Sequence, residues 1–529
     1  MRANEIDVGH VPGTMRLSDL TTKSIVLQPA PSADPRDPLN WSRIRKAVNY
    51  GLVLFYVLMT FVLLDIFGVS YNAYVEEWGM TFDDYNNISA ANYAGLGVGC
   101  VLFIPLAYKF GRRLICVVSL VIQLATAIWE AKANGVNEMI VLNLIQGFGG
   151  AISETLVQII IADLFFVHQY ATMNGLFLLM QSIGAFLGPV AAGYVVVSRG
   201  WRWQWWWCAI FLGVSLVSVF FFFEETAYVP TIDGTRIEQG NINPENLHKG
   251  EEDKEGHKRL TNITSMQHDT VVPTSSCSER LRLYTKTPDS VGHHVWQPFV
   301  LLLRVPAVAY TALTYGMLLA NFAVIGSVNS GWLFNPPYNF DAIGVGLFNI
   351  APFIGALIAS VVVAPLSDRL VIQLAAKNDG IYEAEMRLWP AIPTSLLACG
   401  GLLLYGISIA QERPWIIVAV GGAVFGFGFV SCCDIALSYL TDCYQLLIGD
   451  AIVGVIFIRN VISVIILFTL TPWINGMGLQ NMFILVSFIT LAITLGFPVL
   501  LLVFGRKFGQ STAAISEKYG RQYHSSRRF

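Results

Sequence analysis

Charge is what this chain has least of. Of its 529 residues only 13% are Asp, Glu, Lys or Arg, against 54% hydrophobic. Water-soluble domains carry about 25% charged residues, so water is excluded as the solvent of most of this chain. Phosphate-binding machinery is missing too: there is no Walker A loop, which excludes direct use of ATP. Neither HExxH nor GxSxG occurs, and the eight histidines fall in polar segments, so no catalytic constellation is offered. The eight cysteines show no CxxC spacing, which argues against disulfides and a metal site. No cleavable signal is expected either, because the first 46 residues are polar. The expectation is a chain that is not an enzyme, with no cofactor, no metal and no nucleic-acid partner.

What the chain has is apolar length. Runs of roughly 20 residues, each able to cross about 30 Å of hydrocarbon as a helix, lie near 47–68, 88–108, 112–133, 138–163, 171–197, 203–223, 300–326, 341–365, 389–410, 414–440, 447–470 and 481–504. They are too long and continuous for barrel strands. The fold class expected is an all-α polytopic membrane protein of twelve transmembrane helices. Of the 33 Lys and Arg, only Lys132, Arg199, Arg202 and Arg413 fall in the loops of one face, and Arg459 lies inside a run. The rest gather on the face carrying both ends of the chain, which the positive-inside rule makes cytosolic. That face is called inner below.

The longest polar stretch, 225–298, lacks apolar periodicity and reads as a disordered inner-face linker. The expected organisation is a tail over 1–46, a six-helix half over 47–224, the linker, a second half over 299–505 and a tail over 506–529. The halves repeat one another. At an offset of 279 residues GFG (147–149) falls on GFG (426–428), and Asp163 on Asp442. At 260, Ala91, Gly95 and Gly99 fall on Ala351, Gly355 and Ala359, and PLAYK (105–109) on PLSDR (365–369). The 19-residue difference between the two offsets marks an insertion after span eight. Small residues four apart let helices approach closely, and paired six-helix repeats place a substrate site at their interface.

Span four carries a carboxylate inside an apolar run. Asn143, Gln146, Gly147, Gly150, Glu154 and Gln158 fall on one helical face, and such a stripe belongs against protein or a water-filled cavity. Asp163 lies on the opposite face. Asp65 sits in the outer third of span one, Asp434 in the inner half of span ten and Arg459 near the middle of span eleven. A mid-membrane charge costs about 2.5–3.5 kcal/mol on insertion scales, so each needs a partner or a function. Arg459 is the one base available to pair with Glu154 or Asp434, and three carboxylates against one guanidinium favour cationic or neutral amphipathic substrates. Asn321 and Asn329 in span seven, with Tyr310 and Tyr315, are placed to hydrogen-bond or stack on a ligand. The tryptophans of GWRWQWWW (200–207) read as an interfacial belt.

The chain resembles the major facilitator superfamily, in the manner of fungal drug:proton antiporters. The residues that carry the resemblance are DPLNW (37–41), LAYKFGRR (106–113), IQGFGGA (145–151), GAFLGPVAAG (184–193), GWRW (200–203), FFFEET (221–226), EAEMRLW (383–389) and SYLTD (438–442). The resemblance implies two pseudo-symmetric six-helix halves, with spans one, four, seven and ten lining the cavity. It implies gating by Arg112 and Arg113 against Asp163, by Asp368, Arg369 and Asp442 in the second half, and sealing of span five at Gly188 and Pro189. Two positions depart from the family pattern: Tyr108 replaces the aspartate of the gating loop, and Asn143 replaces a basic residue of span four.

The expected function is proton-coupled efflux of a small organic molecule, such as a drug, toxin or secondary metabolite. The residues expected to bind substrate and proton are Glu154, Gln158, Gln146, Asp65, Asp434, Arg459, Asn321 and Asn329. Glu154 is the expected coupling site, alternating between a proton and either substrate or Arg459. The alternative is proton-coupled import of a cationic nutrient or polyamine. A non-transporting nutrient sensor ranks third, since its long polar tails are not found here. The expected partners are a small-molecule substrate, protons and the lipid bilayer. The expected state is a monomer in the plasma membrane, with the vacuolar membrane as the alternative.

Overall fold

A computed structural model of the chain describes residues 14–16, 37–165, 167–226, 281–284, 292–378, 381–444 and 448–526. Among them, eleven helices are long and apolar enough to cross a membrane. The last apolar segment, Ile448–Gly505, covers 58 residues. That is about 87 Å of helix, nearly three bilayer cores. Gly478 interrupts it at φ 80° and ψ 157°, backbone angles that favour glycine, and the two arms form spans eleven and twelve. The other spans in order are Arg43–Asp65, Phe82–Phe110, Arg112–Glu130, Val136–Gly150 continued by Ile152–Leu164, Val167–Arg199, Arg202–Phe222, Pro306–Trp332, Ala342–Phe348 continued by Ile350–Lys377, Ala391–Ala410 and Trp415–Cys443.

Helix starts follow local chemistry. Thr81 and Asp84 close a capping box on span two, each side chain accepting the other's backbone N–H at 3.1 and 3.0 Å. Asp341 accepts from Gly344 N at 2.8 Å to open span eight.

The sequence repeat recurs in the packing. A methyl on Gly95 would run into the carbonyl of Leu144, and one on Gly355 into that of Ala423. Reciprocally, Gly147 abuts the carbonyl of Asn92, and Gly426 that of Pro352. These are the same contacts at the two sequence offsets, so spans two and four, and spans eight and ten, touch backbone to backbone.

Span five has a wide π turn at Ile183–Leu187 before the helix resumes at Gly188. Pro189 has no N–H to donate back into that turn, which relaxes the ladder there. Its glycines admit neighbours on both sides. A methyl on Gly184 would lie 2.7 Å from the Leu58 carbonyl of span one, and one on Gly193 would lie 2.5 Å from the Ala342 carbonyl of span eight. Span five is thereby wedged between the halves.

The expected linker falls mostly on 227–280 and 285–291, outside the described residues. Its edges are ordered differently from the expectation: the helix His293–Arg304 starts inside the 225–298 boundary. The helix of span twelve likewise runs to Ser526, through the expected tail. At the other end, the strand Thr14–Arg16 pairs antiparallel with Ile381–Glu383, which lies in the insertion after span eight. The tryptophan run divides. Trp203 and Trp207 are exposed as a belt requires, whereas Trp201 and Trp205 are buried against Tyr74, Trp205 donating to its hydroxyl at 3.2 Å.

Candidate functional site

A cavity of about 180 Å³ lies between the halves. Its wall begins at residues near the outer helix ends, Tyr85, Asn329 and Ser330, and reaches past the middle of the helices to Glu154, Asp434 and Leu437. Asp65, Tyr93, Asn143, Pro189, Tyr315 and Phe429 also face it. A smaller cavity of about 50 Å³ lies beyond, lined by Gln158, Gln181, Thr311, Ile452, Val455 and Arg459. Glu154, Leu178, Gln181, Tyr315 and Leu437 border both. The space below this partition is under a third of that above it.

The partition is built on an ion pair. Arg459 donates to Glu154 across the two halves; the side chains are 3% and 7% exposed. The Arg459 guanidinium also lies over the Tyr315 ring, 5.0 Å from its centroid. Asp65 and Asp434 face the cavity with no ion-pair partner among the described residues.

Two expected site residues turn elsewhere. Gln146, on the stripe with Glu154, is fully buried and does not line the cavity. Its amide donates to Glu130 at 3.1 Å and accepts from Asn92 at 2.8 Å. Asn143 links the two, donating to Glu130 at 3.5 Å and accepting from Asn92 at 3.4 Å. The stripe is too wide for one surface: in its outer part Gln146 turns to span three, while Asn143 bonds Glu130 and also borders the cavity. Asn321 is also correctly placed on span seven but faces span twelve, donating to Thr490 at 2.7 Å. Tyr310 packs against Tyr439 rather than the cavity. Glu130 itself escaped the sequence reading: as the last residue of span three it resembled an interfacial acid, and its one signal is a carboxylate inside an apolar run.

The inner face is layered with charge. Arg112 pairs with Asp163 at 3.2 Å. Arg113 instead donates to the carbonyls of Phe220 and Leu281. The Glu225 carboxylate accepts the backbone N–H of both arginines at 3.0 and 3.1 Å, capping the N-terminus of span three. Neighbouring Glu224 pairs with Arg45, whose guanidinium stacks 3.8 Å from the Trp41 ring. In the second half Arg387 bonds Asp442 at 2.6 Å and Asp368 at 3.1 Å. Arg369, expected to act there, is exposed. Asp442 is met instead by Arg387, which lies just beyond the inserted strand. Tyr382 of that strand donates to Asp442. Burial, and the carboxylate beside it, push its phenol above the usual range, so it remains a neutral donor.

A family model described as the Major Facilitator Superfamily matches residues 53–445. The chain belongs to that superfamily. Protein HOL1 of Saccharomyces cerevisiae is 29% identical over 518 residues, covering 90% of this chain and 88% of its own. The efflux pump radE of Floropilus chiversii is 26% identical, covering 90% and 83%. The crystal structure of a D-xylose-proton symporter superposes with a TM-score of 0.57 at 13% identity, covering 88% of this chain and 97% of its own. That likeness shows the fold.

Membership makes the chain an integral, multi-pass membrane transporter that handles small-molecule substrates. It also locates the two departures from the family pattern. Tyr108 stacks on His294 of the second half, with ring centroids 4.6 Å apart and planes at 19°. Asn143, in place of a base, leaves Glu130 with two amide donors rather than a cation.

Proposed function

We propose that the protein is a proton-coupled exporter of a small organic molecule, cationic or neutral and amphipathic, with Glu154 as its coupling site. The observation that carries this reading is the Glu154–Arg459 pair at the floor of the interface cavity. A buried carboxylate must be neutralised or paired, and a proton, a substrate cation and Arg459 compete for this one. Asp65 and Asp434, facing the same cavity, add negative charge that attracts cations. Export is supported by the GAFLGPVAAG motif of span five and by the named activity of the efflux pump relative. The proposed setting is a monomer in the plasma membrane.

The test is flux of the fluorescent cation ethidium into inverted vesicles, with and without an imposed pH gradient. Glu154→Gln should abolish gradient-driven accumulation and leave downhill exchange. If the variant still concentrates ethidium in response to the gradient, coupling lies elsewhere, with Asp65 and Asp434 next in line. Import of an organic cation is the second reading, favoured by a cavity wall that reaches the outer helix ends. Gradient-driven accumulation confined to right-side-out vesicles would select it.

A further inference from the structure

Arg459 needs a partner in two situations. While Glu154 is ionised the carboxylate supplies it, but once a proton or a substrate cation takes Glu154 the guanidinium, 3% exposed, is left in the membrane interior. An unpaired buried charge is strongly destabilising. The structure already holds a second partner: the face of the Tyr315 ring lies 5.0 Å from the Arg459 Cζ, within the range of a cation–π contact. Tyr315 also borders both cavities, beside the pair. We infer that Tyr315 is a positioning residue of the coupling step, holding Arg459 opposite Glu154 and then stabilising the guanidinium on its ring when Glu154 is occupied.

Glu154 belongs to span four, whereas Arg459 and Tyr315 belong to spans eleven and seven. The pair therefore locks one half to the other, and the ring lowers the free energy of the unlocked state. The inference rests on Glu154 as coupling site. The other titratable groups facing the pair are Asp65 from span one, Tyr93 and Cys100 from span two and Cys433 from span ten. Only Asp65 among them is a carboxylic acid able to replace the lost counter-charge, and no ion pair joins it to Arg459 among the described residues, which leaves the Tyr315 ring as the contact already in place.

The test needs no substrate. Nitroxides are placed at Ile44 and Leu303, which are 79% and 86% exposed at the inner ends of the two halves, and their separation is measured in nanodiscs from pH 8 to pH 5. Acid should shift the distance distribution by freeing the lock. Tyr315→Phe keeps the ring face and should keep the wild-type midpoint. Tyr315→Leu should lower the midpoint by about one pH unit, a tenfold higher proton concentration, as expected for loss of a desolvated cation–π contact. In an Arg459→Gln background, Tyr315→Leu should change nothing further. The inference is overturned if Tyr315→Leu keeps the wild-type midpoint, if Tyr315→Phe shifts it equally, or if the shift survives without Arg459. An acid response that persists in Glu154→Gln, or is missing from the wild type, overturns instead the reading of Glu154 on which this one rests.

Discussion

Asp163 and Asp442 occupy equivalent ends of spans four and ten, yet each is held by an arginine in a different relation to it. Arg112 starts the next helix after its loop, whereas Arg387 stands beyond an inserted strand. The local geometry separates two arginines that adjacency made interchangeable. Arg113 is committed to two backbone carbonyls and is 2% exposed, so of the two arginines it is Arg112 that pairs with Asp163. Breaking a buried pair costs about 3–5 kcal/mol, and even a third of that slows a step about tenfold. Asp163→Asn should therefore lower transport roughly tenfold with surface expression retained. Joint Asp163→Arg and Arg112→Asp should recover part of the loss, and joint Asp163→Arg and Arg113→Asp none. Equal recovery by both swaps, measured as transport per surface molecule, would reduce the pair to anchoring. The sequence exposes charges in apolar runs, and so the positions of Glu154, Asp65, Asp434 and Arg459 beside the cavities were legible, their roles remaining a proposal. Gln146 and Asn321 were misplaced because a helical face spans two neighbours, and only the tertiary packing says which one a side chain meets.

Helix existence and order were legible because apolar runs of membrane length leave the backbone no other solution. The glycine repeat was legible as well, for a different reason: backbone-to-backbone contact admits no side chain, so the same small residues must recur in both halves. Gly355 shows the consequence. A methyl there would run into the Ala423 carbonyl, a backbone atom that no rotamer change moves, whereas nothing lies within 4 Å of a methyl on Gly400. Overpacking costs about 1–3 kcal/mol. Gly355→Ala should thus lower the thermal midpoint of the solubilised protein by several degrees, while Gly400→Ala leaves it unchanged or slightly raised through better helix propensity. If both variants melt alike, the close approach of spans eight and ten contributes little to stability. The π turn of span five and the inserted strand were not legible. Proline marks a broken ladder without saying how the turn widens, and a strand of three residues takes its partner from a distant segment.

At the scale of the molecule, alternation between faces requires contacts between the halves that open at one face while others persist. The outer face has Asn86 donating to Thr471 at 3.1 Å and Ser330 to Tyr85 at 3.3 Å. The middle has Glu154 and Arg459. At the inner face Tyr108 stacks on His294, and His294 Nδ1 is held 2.9 Å from Asp450 at the start of span eleven. With the carboxylate as acceptor, Nδ1 carries the hydrogen, which fixes the ring plane that Tyr108 meets. Arg112 reaches the Tyr108 ring, 5.4 Å from its centroid, so the Arg112–Asp163 pair of one half and the His294–Asp450 pair of the other are joined through the Tyr108 side chain. Stacked rings contribute about 0.5–1.5 kcal/mol beyond their buried area, enough to shift a balanced equilibrium between faces roughly two- to tenfold. Tyr108→Phe preserves the stack and should leave that balance alone. Tyr108→Ala should raise, by about that factor, the rate at which a cysteine placed at Gln158, in the lower cavity, is modified by an impermeant thiosulfonate added from the inner face. Asp450→Asn should act in the same direction, since it loosens the ring that Tyr108 packs on. Equal labelling rates in the wild type and Tyr108→Ala would mean that the stack closes nothing, and that the inner face is held by its ion pairs alone.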